Sequence, residues 1–422
     1  MDKAVILAAG LAKRMGEPET PKGLIKIAGR EILYRNMKIL ENLGVKEFII
    51  ITNTKYYKKF EEFLKKYNFR GKVVINKEPE RENGYSLYLA KDYVKEPFIL
   101  MMSDHIYGED FLKEAIKGEG LVADREPRYI DVEEATKVKV LNNRVKDIGK
   151  HLKEFDAVDT GFFILTPEIF KTIEKINKEK ITLSEVMKEA EVKVHFVDGK
   201  FWTDVDTPEE IKRAKWLLIK NSVKGTGDGF ISRYINRKIS TRISYFLVDH
   251  LTPNQMTVIS FILGILSALL CFISIPLGGI FYQISSIVDG VDGEIARASL
   301  RTSKLGGYID SILDRYVDFF FLLVLAYLTI SSTLMWVIAC LAIFGSVMVS
   351  YSTERYKAAF GRDIYKDIKE MKYLIGKRDE RVFLTMIFCL LQKVELLFII
   401  LAIITNIRVI LTLYLVCKKV RE

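Results

Sequence analysis

The chain has 422 residues, a formal net charge of +10, 49% hydrophobic and 28% charged residues, and its mean hydropathy is +0.12. At roughly 150 residues per domain, this length predicts two or three domains. Because a chain this rich in charge rarely has a positive mean hydropathy, its apolar residues must be concentrated in one part. The composition therefore excludes a single ordinary soluble domain and a disordered protein.

The apolar residues are concentrated in the second half. Up to about Asn221, Lys, Glu and Asp are mixed with short apolar runs, whereas stretches of about 20 residues with hardly any charge follow Met256. We expect a water-soluble half followed by a membrane-embedded half. No signal peptide is visible after Met1, so the first half should stay in the cytoplasm. Abundant Lys and Glu with only three Gln are typical of hyperthermophile proteins.

The cysteines all lie in apolar stretches of the second half, without CxxC spacing. They are Cys271, Cys340, Cys389 and Cys417. This placement predicts small buried hydrophobic side chains, with neither a disulfide framework nor a zinc site.

Short apolar runs alternate with helical patterns through the first half. The runs cover residues 5–7, 47–51, 73–75 and 98–102, and the helical patterns cover residues 32–43 and 56–66. Such alternation predicts βαβ units and an α/β, Rossmann-like domain over residues 1–220. Ligands are expected at the carboxyl ends of its parallel strands.

A turn follows the first apolar run. Residues whose backbone N–H groups can approach an anion form this turn: Leu7, Ala8, Ala9 and Gly10. Positively charged residues follow them: Lys13, Arg14 and Lys22. The pattern predicts a polyphosphate site after the first strand, and the alternative is a tight connection without a ligand.

The motif L-A-A-G-x-x-x-R-M, followed by P-K, resembles the signature of sugar-phosphate nucleotidyltransferases, with Ala12 where that family usually has Gly. The resemblance implies that a phosphate monoester attacks the α-phosphorus of CTP and releases pyrophosphate. A phosphate oxygen is already ionised near neutral pH, so this attack needs no general base. It needs alignment and positive charge, which the catalytic residues Lys22 and Arg14, together with Lys13 and Mg²⁺ or Mn²⁺, would supply.

Further segments match the same family, and the resemblance implies their roles. Asp104 and Asp206, with Asp204 as a further candidate, would hold the metal that bridges the nucleotide phosphates, although Asp206 could instead be a helix N-cap. The segment that resembles the base-reading part of cytidylyltransferases contains Asn83, Gly84 and Ser86. The segment that resembles the one contacting the phosphorylated alcohol contains Thr160 and Gly161. His105 is expected to be a loop residue.

The second half begins with two short segments. Residues 221–229 are rich in Gly and polar residues and predict a linker. Residues 230–250 mix aromatic residues with Arg and Lys, which predicts a basic amphipathic helix on the inner membrane surface, or alternatively a soluble helix.

Six apolar segments follow within residues 251–422. They cover residues 256–277, 280–296, 306–330, 334–351, 382–391 and 394–417. We predict an all-α membrane domain of six transmembrane helices. Basic residues lie after the second segment, in residues 354–381 and in the C-terminal tail, so the positive-inside rule places both termini and both active sites in the cytoplasm. The protein should be a multi-pass protein of the cell membrane, with no nucleic-acid partner.

Four carboxylates stand inside this apolar half, namely Asp289, Asp292, Asp310 and Asp314. Each carboxylate at the centre of a helix in lipid costs roughly 2.5–3.5 kcal/mol, so a bound divalent cation is needed as compensation. The first pair is spaced i, i+3 and the second i, i+4, so two adjacent helices can direct all four into one pocket. All-oxygen ligation favours Mg²⁺ or Mn²⁺ over zinc.

The same stretch reads D-x-x-D-G-x-x-A-R-x8-G-x3-D-x3-D, the signature of the CDP-alcohol phosphatidyltransferases, which residues 240–417 resemble. The resemblance implies that the first three of these carboxylates bind metal and that Gly293 and Arg297 hold the CDP moiety. Asp314 would bind metal or act as general base, because an acceptor alcohol must lose its proton as it attacks the β-phosphorus and CMP departs.

The order of the two domains resembles a family of bifunctional hyperthermophile enzymes that join an inositol-1-phosphate cytidylyltransferase to a di-myo-inositol-phosphate-phosphate synthase. This resemblance implies CTP, inositol 1-phosphate and CDP-inositol as substrates, and a homodimer formed through the membrane domain in the lipid bilayer. A phosphorylated acceptor would need extra cations, for which Arg301, Lys304 and the basic residues of 354–381 are candidates.

Two alternatives stay open. The chain could make a CDP-polyol or CDP-amino-alcohol and transfer it to a lipid alcohol. The membrane half could instead be a channel or transporter with a nucleotide-sensing domain, but that function predicts charges spread along several spans. Here the acidic residues are concentrated at the second and third apolar segments.

Overall fold

The computed structural model describes residues 1–10, 19–176, 178–225 and 227–421. The chain divides into two compact units, Met1–Leu217 and Leu218–Glu422, close to the boundary predicted near residue 220. The predicted phosphate-binding residues Lys13 and Arg14 lie outside the described residues.

The first unit is an α/β domain, which confirms the Rossmann-like prediction. Its described strands are β1 (Lys3–Ala8), β2 (Lys26–Ile27), β3 (Arg30–Glu31), β4 (Glu47–Asn53), β5 (Gly71–Asn76), β6 (Phe98–Met102), β7 (His105–Tyr107), β8 (Gly120–Asp124), β9 (Lys137–Leu141), β10 (Arg144–Gly149), β11 (Ala157–Leu165), β12 (Val194–Phe196) and β13 (Trp202–Asp204). The described helices of this part of the chain are α1 (Ile32–Asn42), α2 (Tyr57–Tyr67), α3 (Glu82–Tyr88), α4 (Glu109–Ala115), α5 (Ile169–Ile176), α6 (Leu183–Glu189) and α7 (Pro208–Asn221).

The main sheet of the described strands runs β10-β9-β11-β6-β1-β4-β5, with β8 pairing with β11 and β12. β1 is parallel to β4 and β6, and β4 is parallel to β5. These four strands and α1 and α2 are the elements that the alternation predicted. β11 is antiparallel to β6, β8 and β9, so the sheet is mixed, whereas the sequence predicted only parallel pairing.

Both faces of the sheet are buried. Along β1, Ala4 and Ile6 pack into the hydrophobic core on one face, and Val5 and Leu7 into the core on the other. A strand covered on both faces reads as a continuous apolar run, which is why β1 shows no alternation. A separate antiparallel pair, β7 and β13, sets Asp204 opposite His105 and brings two acidic segments together.

The second unit is helical. Its described helices are α8 (Arg237–Leu247), α9 (Pro253–Leu270), α10 (Ile275–Ala298), α11 (Lys304–Thr329), α12 (Thr333–Phe360), α13 (Ile364–Asp367), α14 (Arg378–Leu390) and α15 (Val394–Arg421). Each of the six predicted apolar segments overlaps one of these helices. Among the described residues, three helices are long and apolar enough to cross a membrane: Pro253–Leu270, Thr333–Phe360 and Val394–Val420.

Local chemistry explains where α9 begins. The Thr252 hydroxyl accepts a hydrogen bond from the Gln255 N–H, and the Gln255 side chain accepts from the Thr252 N–H, while Pro253 occupies the first turn. This capping box satisfies N–H groups that a helix start leaves unpaired. The cysteines are free thiols, with Cys271 and Cys389 buried. Cys340 and Cys417 lie on the surface, so the prediction that all four are buried is wrong for these two.

Candidate active sites

In the first unit, Lys22 lies between two carboxylates. Its Nζ is 3.5 Å from Asp104 Oδ2 and also donates to Asp206 Oδ1. Asp104 follows β6 and Asp206 follows β13, so the strand ends bring them together, as the carboxyl ends of such strands commonly do. Burial lowers the pKa of Lys22, but the two carboxylates outweigh burial and leave this pKa above its usual value. Lys22 therefore keeps its positive charge.

His105, for which the sequence predicts no role, holds Asp104 in place. Its Nδ1 lies 2.9 Å from Asp104 Oδ1, its ring stacks on Trp202, and its carbonyl accepts from Asn36 Nδ2 at 2.7 Å. Burial lowers the pKa of His105, but the hydrogen bond with Asp104 and the negative charges of Asp104, Asp204 and Asp159 together outweigh burial, and the net shift is upward. Burial raises the pKa of Asp104, yet His105 and Lys22 hold it well below its usual range. Asp104 is therefore ionised and could offer an oxygen to a metal.

A cavity opens beside these groups. The residues that line it include Asn83, Asp104, Asp159, Gly161, Asp204 and Asp206. Asp159 Oδ1 accepts from the Gly161 N–H at 2.9 Å, and Gly161 has a φ of 67°, a conformation that favours glycine. Burial raises the pKa of Asp159 to about 6 against the opposing effects of the Gly161 N–H and His105. The predicted metal ligands and part of the predicted substrate segment therefore share one cavity.

Two residues predicted to contact the substrates, Ser86 and Thr160, form hydrogen bonds within the protein. The Ser86 hydroxyl is buried and accepts from Asn76 Nδ2 at 3.0 Å. Thr160 is buried too, and its Oγ1 donates to the Val122 carbonyl at 2.7 Å. The register of β11 against β8 shifts between Asp159 and Phe162, so this stretch of β11 is bulged and its side chains do not alternate regularly. Neither residue lines the described part of this cavity, and their roles in binding the base and the alcohol stay predictions.

Backbone contacts explain several other predicted residues. The N–H of Gly84 donates to the Ile181 carbonyl at 2.9 Å, and a Cβ there would come within 2.6 Å of that oxygen. Close packing therefore requires glycine at this position whether or not a pyrimidine binds. At the end of β1, Thr52 and Asn53 donate to the carbonyls of Ala8 and Ala9 at 3.2 and 2.9 Å, while the Leu7 carbonyl accepts from the N–H of Ser103. These bonds leave the exposed Gly10 at the start of the predicted phosphate turn.

In the second unit, α10 and α11 bring three carboxylates together. Asp289, Asp310 and Asp314 each offer an oxygen within 4.8 Å of the others, and we call them the carboxylate triad. Asp292, predicted as a fourth metal ligand, is not part of this group, and its Oδ2 accepts from Thr257 Oγ1 at 2.5 Å. Oxygens bound to one divalent cation at about 2.1–2.5 Å lie up to about 4–5 Å apart. The triad therefore fits such an ion.

Arg378, at the start of α14, contacts the triad. Its Nη1 lies 2.9 Å from Asp289 Oδ2 and 3.1 Å from Asp314 Oδ1, and its Nε lies 3.2 Å from Asp318 Oδ1. Asp318 lies one turn after Asp314 and also accepts from the Tyr282 hydroxyl at 2.8 Å. The sequence analysis did not single out either residue. Arg378 belongs to the basic stretch 354–381, and Asp318 continues the i, i+4 spacing, so both signals were present.

Two of the cavities that border the triad differ in the residues that line them. The Arg297 cavity, as we name the first, is lined by Lys224, Asp292, Gly293, Arg297, Arg301 and Asp310. The Arg378 cavity is lined by Asp228, Arg237, Asp289, Asp314, Lys377 and Arg378. Both CDP-binding residues that the sequence predicts, Gly293 and Arg297, thus line one cavity, and Arg237, Lys377 and Arg378 line the other. Lys304 lies on the surface and does not line the described part of either cavity, unlike Arg301.

A buried ion pair ties α10 to α8. Glu294 has no exposed surface, and its carboxylate accepts from Ser240 Oγ and Ser244 Oγ, each at 2.6 Å, and from Arg237 Nη1 at 3.0 Å. Arg237 also donates to the Gly290 carbonyl at 3.3 Å. Burial lowers the pKa of Arg237, but its acidic partners outweigh burial and raise it. Since Glu294 lies between Asp292 and Arg297 in the chain, this pair holds the helix that carries both.

Known proteins resemble both halves. Residues 250–417 match the CDP-alcohol phosphatidyltransferase family, and residues 4–118 match the MobA-like NTP transferase domain. The chain is 59% identical to a bifunctional IPC transferase and DIPP synthase of Thermococcus kodakarensis, over 99% of this chain and 98% of that protein. It is 55% identical to one of Aquifex aeolicus, over 99% of both. A solved inositol-1-phosphate CTP transferase from T. maritima is 30% identical, with a TM-score of 0.47, over 51% of this chain and 96% of that one.

Proposed function

This chain belongs to the family of bifunctional IPC transferases and DIPP synthases, and we propose that its two halves make and then use a CDP-linked alcohol. In the first reaction, inositol 1-phosphate attacks CTP and gives CDP-inositol and pyrophosphate. In the second, CDP-inositol reacts with another inositol 1-phosphate and gives phosphorylated di-myo-inositol phosphate and CMP. The observation that carries this proposal is identity over nearly the whole length of relatives that unite both activities.

In the first site, Lys22 is the residue that neutralises the α-phosphate as it is attacked. Its position against Asp104 and Asp206 supports this role, because the two carboxylates orient the ammonium group and would themselves hold Mg²⁺. The ion, when bound, would add positive charge at the triphosphate. The attacking phosphate oxygen is already ionised, so no residue needs to remove a proton.

In the second site, the carboxylate triad would hold Mg²⁺, which supplies positive charge to the diphosphate when it is bound. Asp314 removes the proton of the acceptor hydroxyl. Its place supports this role, because Asp314 belongs to the triad and also lines the Arg378 cavity. The proton passes to a carboxylate oxygen while the β-phosphorus forms its new bond and CMP leaves.

The two cavities give each substrate its own place. The CDP moiety binds in the Arg297 cavity, beside Gly293, where the guanidinium of Arg297 can neutralise the diphosphate. The phosphorylated acceptor binds in the Arg378 cavity, where Lys377 and Arg378 supply the cations that its phosphate group needs. Both substrates then meet at the triad, because the Arg297 cavity includes Asp310 and the Arg378 cavity includes Asp289 and Asp314.

The helical unit would cross the membrane six times and form a homodimer, with both termini and both active sites in the cytoplasm. Three apolar helices and the family match support a membrane location. The basic residues after α10, before α14 and at the end of α15 support this orientation.

Phosphorus NMR of the full chain in detergent tests the proposal. With CTP, inositol 1-phosphate and Mg²⁺, we expect pyrophosphate and CDP-inositol first, followed by CMP and a water-soluble phosphodiester. Absence of CDP-inositol would refute the first reaction. If the alcohol phosphate is transferred only to an added lipid alcohol and no water-soluble diester forms, the second reaction is refuted.

A further inference from the structure

The segment that follows α7, predicted as a linker from its composition, packs against the helices of the second unit. Ser222 is buried, and its carbonyl accepts from Arg297 Nε. Gly229 is buried as well, and a Cβ there would come within 2.3 Å of an Asp379 carboxylate oxygen. These contacts hold the segment in one place on the second unit.

The segment also borders both cavities at the carboxylate triad. Lys224 lines the Arg297 cavity, and Gly227 and Asp228 line the Arg378 cavity. The Asp228 carboxylate accepts from Arg237 Nε and Nη2, each at 3.0 Å, and its carbonyl accepts from Lys377 Nζ at 3.1 Å. Residues outside the phosphotransferase motif therefore form part of the wall of its site.

Lys224 lines the Arg297 cavity without an ion pair of its own among the described residues. Within the described ranges, no carboxylate lies at ion-pair distance from its ammonium group. Burial lowers the pKa of Lys224, and the positive charges of Arg297 and Lys357 lower it further, partly opposed by Asp363. Three basic side chains of this cavity, Lys224, Arg297 and Arg301, face two acidic ones, Asp292 and Asp310. The excess of positive charge favours an anionic ligand there.

We propose that Lys224 binds the diphosphate of the CDP-alcohol beside Arg297, so that the segment between the two enzymes is part of the donor site of the second one. This inference rests on the proposed function. The shared ligand chemistry is a phosphate, and the shared cavity with Gly293 and Arg297 assigns it to the donor diphosphate and not to the phosphate of the acceptor. The fused chain then contributes a contact that the motif itself lacks.

Steady-state kinetics of the full chain in detergent, with CDP-inositol supplied directly, tests this contact. For Lys224→Gln we expect the KM for CDP-inositol to rise by about fivefold, as for a partly exposed charge, with kcat and the KM for inositol 1-phosphate unchanged. The rate of CDP-inositol formation from CTP should also stay unchanged. Lys212→Gln, the same change at an exposed lysine of α7, should alter none of these values.

Lys224→Arg keeps the charge and should restore the KM. A rise confined to the KM for inositol 1-phosphate, or no change in either KM, would overturn the proposal.

A titration with CDP, which carries no alcohol, measures the same contact whichever alcohol the second reaction uses. We expect about fivefold weaker binding in Lys224→Gln at one of the two nucleotide sites of the chain. If the unaltered chain and Lys224→Gln bind CDP equally well, the contact is refuted, even if the second reaction uses another alcohol. If the unaltered chain does not react with CDP-inositol, only the proposed function is refuted.

Discussion

Glu294 offers the sharpest test of how α10 is held. Its carboxylate is fully buried and accepts three hydrogen bonds, from Ser240, Ser244 and Arg237 on α8. Glu294→Ala removes the acceptor of all three and leaves Arg237 with Asp228 and a backbone carbonyl. Breaking a buried charge pair by removing one partner costs about 3–5 kcal/mol.

This free energy corresponds to a large thermal shift. At about 2–4 °C per kcal/mol for a domain of this size, Glu294→Ala should lower the Tm by about 6–20 °C. Glu294→Gln keeps a neutral acceptor oxygen. Its free energy of unfolding should fall by about 1–3 kcal/mol, roughly the contribution of a hydrogen bond to a charged group. Since Asp292 and Arg297 lie on the same helix, the KM for CDP-inositol should rise in both variants.

The assay is thermal unfolding of the full chain in detergent, monitored by intrinsic fluorescence, together with the rate of phosphodiester formation. Glu354→Ala, at an exposed position of α12, is the matched control and should change stability by less than about 0.5 kcal/mol. If Glu294→Ala unfolds within about 2 °C of the unaltered chain, the buried carboxylate does not hold α8 and α10 together and the reasoning is wrong.

Three further predictions concern the chemistry of the two sites. Lys22→Ala should slow CDP-inositol formation, measured by pyrophosphate release, by at least about 100-fold, while the use of added CDP-inositol stays unchanged. Near-normal pyrophosphate release would contradict the role of Lys22. Asp314→Asn should slow phosphodiester formation by about 100- to 10,000-fold at unchanged CDP-inositol formation, and an active variant would refute the general base. Asp159→Asn keeps the acceptor for the Gly161 N–H but removes the charge. Because burial raises the pKa of Asp159 from 3.8 to about 6, the chain loses stability as pH rises from about 4 to about 6. In scanning fluorimetry the variant should thus have a higher Tm than the unaltered chain at about pH 7, but not below about pH 4. An equal difference in Tm at both pH values would exclude the Asp159 carboxyl as the cause of the loss of stability.

Local patterns account for much of the fold. The apolar runs predicted β1, β4 and β6, because strands buried on both faces need continuous hydrophobic sequence. They also predicted β5, an edge strand that is only partly buried. The antiparallel pairing of β11 was not predicted, since it joins residues far apart in the chain and leaves no local signature. Thr160 shows the consequence, because only the pairing of β8 with β11 brings its hydroxyl to the Val122 carbonyl.

Carboxylates within apolar segments were the strongest sequence signal for the second site. Carboxylates within apolar helices are costly, so Asp289, Asp310 and Asp314 pointed to a metal before their positions were known. Glu294 was overlooked although it stands in the same motif, because only the fold shows that Ser240 and Ser244 face it.

Spacing along one helix is a property of the sequence, and it determined by itself that the acidic residues of α10 and of α11 each share a face. Contacts between distant segments depend on how helices pack, and the tertiary structure alone decided three of them. It placed Arg378 between Asp289 and Asp314, it brought the Thr257 hydroxyl to the Asp292 carboxylate, and it laid a segment with the composition of a flexible linker along the wall of the site. Helical periodicity is fixed by the backbone, whereas these contacts arise only when separate elements bury their surfaces against one another.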